Sequence, residues 1–407
     1  MKKIILVFTI LAAISFSCDD RLEELNTPRK SATAVPGETL FTNGLREMFD
    51  MMVTISVNEN VFKLYAQYWA QCTYPDESQY NQVTREIPDQ WFRNGYREAL
   101  RDMVEAKKAI EAIDEAAIDP AVRKNQLATI DIAMAHTWLT LVDVFGHIPY
   151  SEALDAENLQ PKYDDQVEVY NSALNTLETA ITSLDTDYAG ISGGQDPVYG
   201  GDVAQWLKFA NSLKLRAGMR LADVDPAKSV SLVNAALGSG VFESNDDNFA
   251  IDYQSQSPST NPQYEDLVLS GRQDFVPANT FVDKLNDLND PRRDVYFADK
   301  VDGEYIGGIY GSANAYTSFS HIGAAIHQPD LPGTVLNCSE VLFLLAEAGE
   351  RGGGYNTTMT AEEYYNAAIM ESFMEWGLTQ ADYDAYIVQP EVAYSTAENN
   401  GTWKLQE

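Results

Sequence analysis

The sequence predicts a mainly α-helical protein with long irregular loops. Three observations carry this. Apolar residues recur every three or four positions through several long segments. Asp-Pro pairs stand at Asp119-Pro120 and Asp225-Pro226, where an N-cap acceptor precedes a proline suited to the first helical turn. No stretch alternates apolar and polar residues as clearly as these segments repeat.

Taken in order, the chain opens with Met1-Lys2-Lys3 and an apolar run, Ile4–Ile14. The run is shorter than the about 20 residues a membrane-spanning helix needs, and it matches the core of a secretory signal. Ser15 and Ser17 precede Cys18, and S-F-S-C resembles a bacterial lipoprotein cleavage box. Residues 1–17 are therefore expected to be a signal peptide, residues 18–34 a polar tether, and Cys18 a lipidated N-terminus. Several acyl chains would anchor the protein to a membrane where one would not. An ordinary signal with an incidental cysteine is the alternative.

Residues 35–407 are expected to form a single helical domain. A helix over Gly95–Ala112 carries Tyr96, Leu100, Met103, Ala106 and Ile110 on one face. Leu127, Ile130, Met134, Trp138, Leu141 and Phe145 stripe Val122–Phe145. Val167, Tyr170, Leu174, Leu177, Ile181 and Leu184 stripe Asp165–Leu184, and Trp206, Ala210, Leu213, Ala217 and Leu221 stripe Val203–Leu221. Later helices are expected at Cys338–Gly349 and Ala361–Trp376, with short extended pieces around Tyr305–Ser312. Between them, Gly146–Gln160, Ala189–Gly200, Phe242–Ala278 and Lys300–Gly333 are loops long enough to carry function.

Composition narrows the function. The 407 residues hold 28 Lys+Arg against 61 Asp+Glu, a formal net charge of −33, which opposes nucleic-acid binding. Three cysteines cannot build a disulfide framework, and Cys72 and Cys338 are expected as free buried thiols, with a bridge formed in an oxidising compartment as the alternative. No cofactor or metal is expected: His321 and His327 lack a HExxH arrangement, and Asn245–Asn248 lacks the spaced calcium loop. No nucleophile-elbow, Walker or Rossmann pattern appears, so no catalytic residue is assigned and a secreted hydrolase is the weakest reading.

Six segments in order suggest a relationship. They are LVDVFGHIPYSEAL (Leu141–Leu154), PKYDDQVEVYNSAL (Pro161–Leu174) and GDVAQWLKFANSLKLRAGMRL (Gly201–Leu221), then NDPRRDVYF, SEVLFLLAEAGERG and AEEYYNAAIMESFMEWG. Together they resemble the SusD/RagB nutrient-binding outer-membrane lipoproteins, in the branch with the WxKFANSLK signature. The resemblance implies a SusD-like fold of tetratricopeptide-like helix pairs with irregular loops, and no catalysis. It implies an outer-membrane, surface-exposed, lipid-anchored protein of Bacteroidetes type, capturing an oligosaccharide or peptide for a SusC-like TonB-dependent transporter. A structural lid of that transporter with little affinity of its own is the alternative. The resemblance also implies a helical region with a QKW-type motif after Trp403–Glu407, so the chain is expected to lack its C-terminal part.

The motif residues also have structural explanations. Gly146 can end a helix, Tyr150 can pack its ring, and Arg292 and Arg293 can pair with local carboxylates. Trp91, Trp138, Trp206 and Trp376 are expected in the core. Sugars have C–H faces and hydroxyls, so a site for them needs exposed rings among polar side chains. Tyr74 and Tyr80 lie among Gln71, Asp76, Gln79 and Asn81; Tyr253 lies in a Ser/Pro/Asn-rich loop; Tyr310 and Tyr316 lie on Gly-rich backbone. These five tyrosines are the ligand-binding candidates.

Overall fold

Buried apolar stripes set the helices of this chain, and the stripes read from sequence pack except at Val167, which is 59% exposed in the first turn of its helix while Val169 is buried. A computed structural model describes residues 35–84 and 86–396. The signal peptide, Cys18, the tether and Trp403–Glu407 lie outside the described residues. One compact unit begins at Gly37.

Helix α1, Gly37–Val53, buries Phe41, Leu45, Met48 and Phe49. It packs against a long helical segment built from α2, Ile87–Arg93, a π-helical stretch, Asn94–Leu100, and α3, Arg101–Glu111. Glycine makes the approach close. A Cβ on Gly44 would stand 2.8 Å from the Ala99 carbonyl oxygen, and one on Gly37 2.7 Å from that of Ala106.

Helix α4, Pro120–Phe145, is capped by Asp119, whose carboxylate accepts from the Ala121 amide. It ends where Gly146 takes φ +73°. It is long and apolar enough to cross a membrane, but most of that stretch is buried among its neighbours, as in the core helix of a globular domain. Helices α5, Gln166–Ser183, α6, Val203–Arg220, and α7, Pro226–Ser239, follow, with Asp165, Asp202 and Asp225 as N-caps. Pairs α4–α5 and α6–α7 pack as neighbours. The second half holds α8, Asn279–Asp287, α9, Cys338–Arg351, α10, Ala361–Glu375, and α11, Gln380–Ile387.

Among the described residues, three small antiparallel ladders tie the loops together. β1, Trp69–Gln71, pairs with β3, Phe275–Pro277; β2, Phe249–Ile251, pairs with β6, Gly333–Leu336; β4, Phe297–Ala298, pairs with β5, His321–Ile322. The extended pieces expected at 305–312 form no strand. Gly308 makes an isolated bridge to Ala278 there, held by backbone bonds rather than a ladder.

The core centres on Trp206, Phe209, Phe249, Phe41 and Phe49, with Phe209 and Phe249 stacked face to face. Trp91, Trp138 and Trp206 are buried as expected. Trp376 is half-buried, because it caps α10 at the edge of the packing and meets Tyr296 edge-on at 5.0 Å. The family-like motifs also serve structure. Asp164 accepts from the Tyr150 and Ser151 amides after the Pro149 turn, and buried Asp290 takes the Arg292 guanidinium in a two-pronged pair. Cys72 and Cys338 are free and buried, and burial pushes the Cys72 thiol up to about 11.

Candidate ligand-binding surface

The β1–β3 ladder brings two distant loops against each other. Gln71, at the end of β1, organises the first. Its amide donates to the Tyr74 carbonyl (2.9 Å) and to Glu77 Oε2 (2.6 Å), and its oxygen accepts from the Ser78 amide (3.0 Å) and hydroxyl (2.8 Å). Gln71, Glu77 and Ser78 are all buried, so the loop that follows is folded around one glutamine.

Asn314 organises the second loop. It is 7% exposed, accepts from the Ile309 amide (2.8 Å), and donates to the carbonyls of Gln71, Ile309 and Ser312. Gln79 completes the join by donating to the Gly311 carbonyl (2.9 Å).

These two fastenings set the tyrosines. Tyr74 and Tyr80 adopt φ +54° and +58°, left-handed conformations that cost energy for residues with a Cβ and are held here by the surrounding bonds. Tyr74 is 72% exposed and Tyr80 51%. The Tyr80 ring lies 5.3 Å from Tyr65 and 6.4 Å from Tyr310. Gln82 donates to the Tyr65 hydroxyl (2.9 Å), and the Tyr310 hydroxyl donates to the Leu64 carbonyl (2.6 Å). Burial raises the Tyr310 hydroxyl above its ordinary range. The result is a fixed set of rings edged by amides, in which Tyr74 and Tyr80 are exposed and Tyr65 and Tyr310 are half-buried beside Tyr80.

The five tyrosines proposed from sequence therefore separate. Tyr74, Tyr80 and Tyr310 come from loops that the structure joins, with Tyr80 and Tyr310 in ring contact. Tyr310 and Tyr316 are both half-buried against Ala70, Cys72, Val276 and Ala278, and Tyr316 differs in having its ring stacked on His321 at 4.0 Å. Tyr253 corrects the expectation. It is 6% exposed, packs in the main core and donates to Asp50 Oδ1 at 2.6 Å, so its ring offers no face to a ligand. Sequence reasoning missed Tyr65, in the helical turn Phe62–Tyr65. The aromatic-rich run that continues through Tyr68 and Trp69 was its signal.

The Asn245–Asn248 segment turns inward instead of forming a cation loop. Lys208 takes the Asp247 carboxylate, Asn245 bonds to Glu371, and Asn248 accepts from the Cys338 amide. Among the described residues, no group of three or more His, Cys, Asp or Glu could hold a metal ion.

Residues 28–407 match the SusD-like family model described as starch-binding, associating with outer membrane. The chain belongs to the SusD-like family. Solved SusD-like structures agree. A protein described as chitin-binding is 26% identical with a TM-score of 0.71, over 90% of this chain and 82% of that one. A chitin-binding SusD homologue from Flavobacterium johnsoniae is 26% identical with a TM-score of 0.70, over 86% and 73%. A SusD homologue from Bacteroides uniformis is 26% identical with a TM-score of 0.71, again over 86% and 73%. The search of curated proteins returns no match. SusD-like proteins associate with the outer membrane and bind rather than catalyse, and the mainly helical fold agrees with that membership.

Proposed function

We propose that this chain is a cell-surface glycan-binding lipoprotein that captures an oligosaccharide and delivers it unaltered to a SusC-type TonB-dependent transporter. The observation that carries the reading is the contacting ring set of Tyr65, Tyr80 and Tyr310, with Tyr80 exposed and the other two half-buried, and exposed Tyr74 on the same loop as Tyr80, in a SusD-like fold. The rings offer stacking faces for sugar C–H surfaces, and the neighbouring amides suit hydroxyls. The chitin-binding relatives make N-acetylglucosamine oligomers the first ligands to test. Lipidation of Cys18 would supply the anchor.

Calorimetry against chitin- and starch-derived oligosaccharides tests the capture step. Saturable binding without product is expected, and Tyr80→Ala should weaken it about tenfold, the scale of one lost ring contact. Unchanged affinity in Tyr74→Ala, Tyr80→Ala and Tyr310→Ala together would remove the site. Absence of binding to any glycan would favour the structural-lid alternative. Metabolic labelling with palmitate should mark the wild type and not Cys18→Ala, and a transporter should co-purify from detergent-solubilised membranes.

A further inference from the structure

His321 opens β5 and stands opposite Ala298 of β4 in their ladder. Both nitrogens of its ring face oxygen. Nδ1 lies 2.7 Å from Asp299 Oδ2, and Nε2 lies 3.1 Å from the Tyr316 carbonyl oxygen. The Tyr316 ring stacks on the imidazole with centroids 4.0 Å apart and planes 15° from parallel. A carboxylate and a carbonyl can only accept, while a neutral imidazole has one N–H to give and an imidazolium has two. The ring therefore completes both bonds only when each nitrogen carries a proton.

Loss of one proton breaks one of the two bonds. The remaining N–H stays on the carboxylate, the stronger acceptor, and the Nε2 lone pair is left against the Tyr316 carbonyl. That carbonyl belongs to the short turn Tyr316–Ser318, in the loop that also carries Tyr310. Asn314 fastens this loop to Gln71, and His321 fastens it to β5. The other charged groups around β5 are engaged or uncharged. Asp274, before β3, pairs with Arg272 and accepts from Thr73; Lys300, after Asp299, pairs with Asp294 at 3.5 Å. Burial raises the Tyr316 phenol and the Cys72 thiol, which keeps both neutral where an imidazole titrates, and burial lowers the His327 imidazole.

We propose that His321 is a positioning residue for the tyrosine surface: as an imidazolium it holds the Tyr310–Tyr316 loop in its binding arrangement, and it releases the loop as the ring deprotonates. This rests on the carbohydrate reading of the chain and adds pH control to it. The stabilising form is the protonated one, so its contribution is present at low pH and lost as pH rises. Imidazoles change charge between about pH 5 and about pH 8, and capture is tighter on the acid side of that range. Asp299 creates the dependence. An amide in its place could accept from an Nδ1–H or donate to a bare Nδ1, and in either case Nε2–H would keep the Tyr316 carbonyl. Asp299 has φ +59°, a conformation that asparagine also adopts.

The test compares the full chain at about pH 5.5 and about pH 8.5, on either side of imidazole titration. It follows hydrogen exchange in peptides spanning Asn314–Ile322, corrected for the intrinsic effect of pH on exchange, and chitotriose binding by calorimetry. In the wild type, protection of that segment and affinity should each fall about fivefold at the higher pH, the scale of one hydrogen bond. Asp299→Asn, at an exposed side chain, should hold both nearly constant. His321→Gln, checked for folding by its thermal melt, has no charge to lose and should also be flat, at the weaker level. Wild-type protection that is equal at the two pH values, or a fall undiminished in Asp299→Asn, overturns the proposal and leaves the carbohydrate reading untouched. Protection that falls while affinity does not also overturns it. If the exchange pattern is as expected and chitotriose binds at neither pH, the carbohydrate reading fails and the hold of His321 on the loop stands.

Discussion

His136 packs beside the stacked rings of Phe209 and Phe249, and neither of its nitrogens has a hydrogen-bond partner among the described residues. Burial, with Arg216 and Arg220 adding repulsion, lowers its protonation from 6.5 to about 3. Between those values the unfolded chain binds a proton that the folded chain refuses, so this residue costs stability as pH falls through that window. Buried carboxylates such as Asp50 and Asp131, whose affinity for protons burial raises, act in the opposite sense. A comparison with His136→Leu isolates the histidine. Thermal melts at about pH 7 and about pH 4 should show a smaller acid loss in the variant, by on the order of a few kcal/mol. Equal losses would show that the imidazole charges freely inside the fold. Tyr253 teaches a related lesson about legibility. Its loop composition suggested exposure, yet its hydroxyl partner is Asp50 on α1, and nothing local marks a contact across so long a stretch of chain.

At the scale of elements, helices with regular stripes and Asp-Pro starts were legible because both signals are local. Helix α4 begins at Pro120 and α7 at Pro226, as those pairs imply. Helix α1 was not read, since Gly37 and Gly44 lower helix propensity and the gain that offsets them is close packing against α3 and the stretch before it. The ladders were not legible because they are two to four residues long and exist through tertiary pairing. Loops instead depend on single buried acceptors. Asp196 takes the Trp206 indole N–H at 2.7 Å and the Gly201 amide at 2.9 Å, pinning the loop before α6. Asp196→Ala should cost about 2–4 kcal/mol in denaturant unfolding, by leaving those donors unpaired, and Asp196→Asn should recover part of it. Loss under about 0.5 kcal/mol would mean water replaces the carboxylate. Asn314→Ala removes the clasp between Gln71 and the Ile309–Ser312 turn. It should weaken sugar binding at least as much as Tyr310→Ala does while far-ultraviolet circular dichroism stays unchanged, since no long helix rests on that residue. Full affinity in Asn314→Ala would show that the two loops hold their relative position without it.

Over the whole molecule, a formal charge of −33 surrounds these sites. The field repels polyanions at low salt and leaves neutral sugars untouched. Affinity for chitotriose should therefore change less than about twofold between about 50 and 500 mM salt, and polygalacturonate should not bind at the lower value. Tight low-salt binding of the polyanion would require a basic patch that overrides the net charge. Family membership was legible at this scale because six motifs fall in order along the chain. The tyrosine surface was legible only in part: composition marked Tyr74, Tyr80 and Tyr310, but the fastenings at Gln71 and Asn314 that bring their loops together span more than two hundred residues.

The π-helical stretch Asn94–Leu100 has a consequence for how this scaffold tolerates change. A single turn of that kind amounts to one surplus residue looped into an otherwise ordinary helix, with the faces before and after it left in phase. Excising one residue there would relax the bulge and keep Trp91 and Met103 on their inward faces. The same excision within α4 would swing the whole downstream stripe out of register, so the length of this helix is adjustable at one spot and rigid elsewhere.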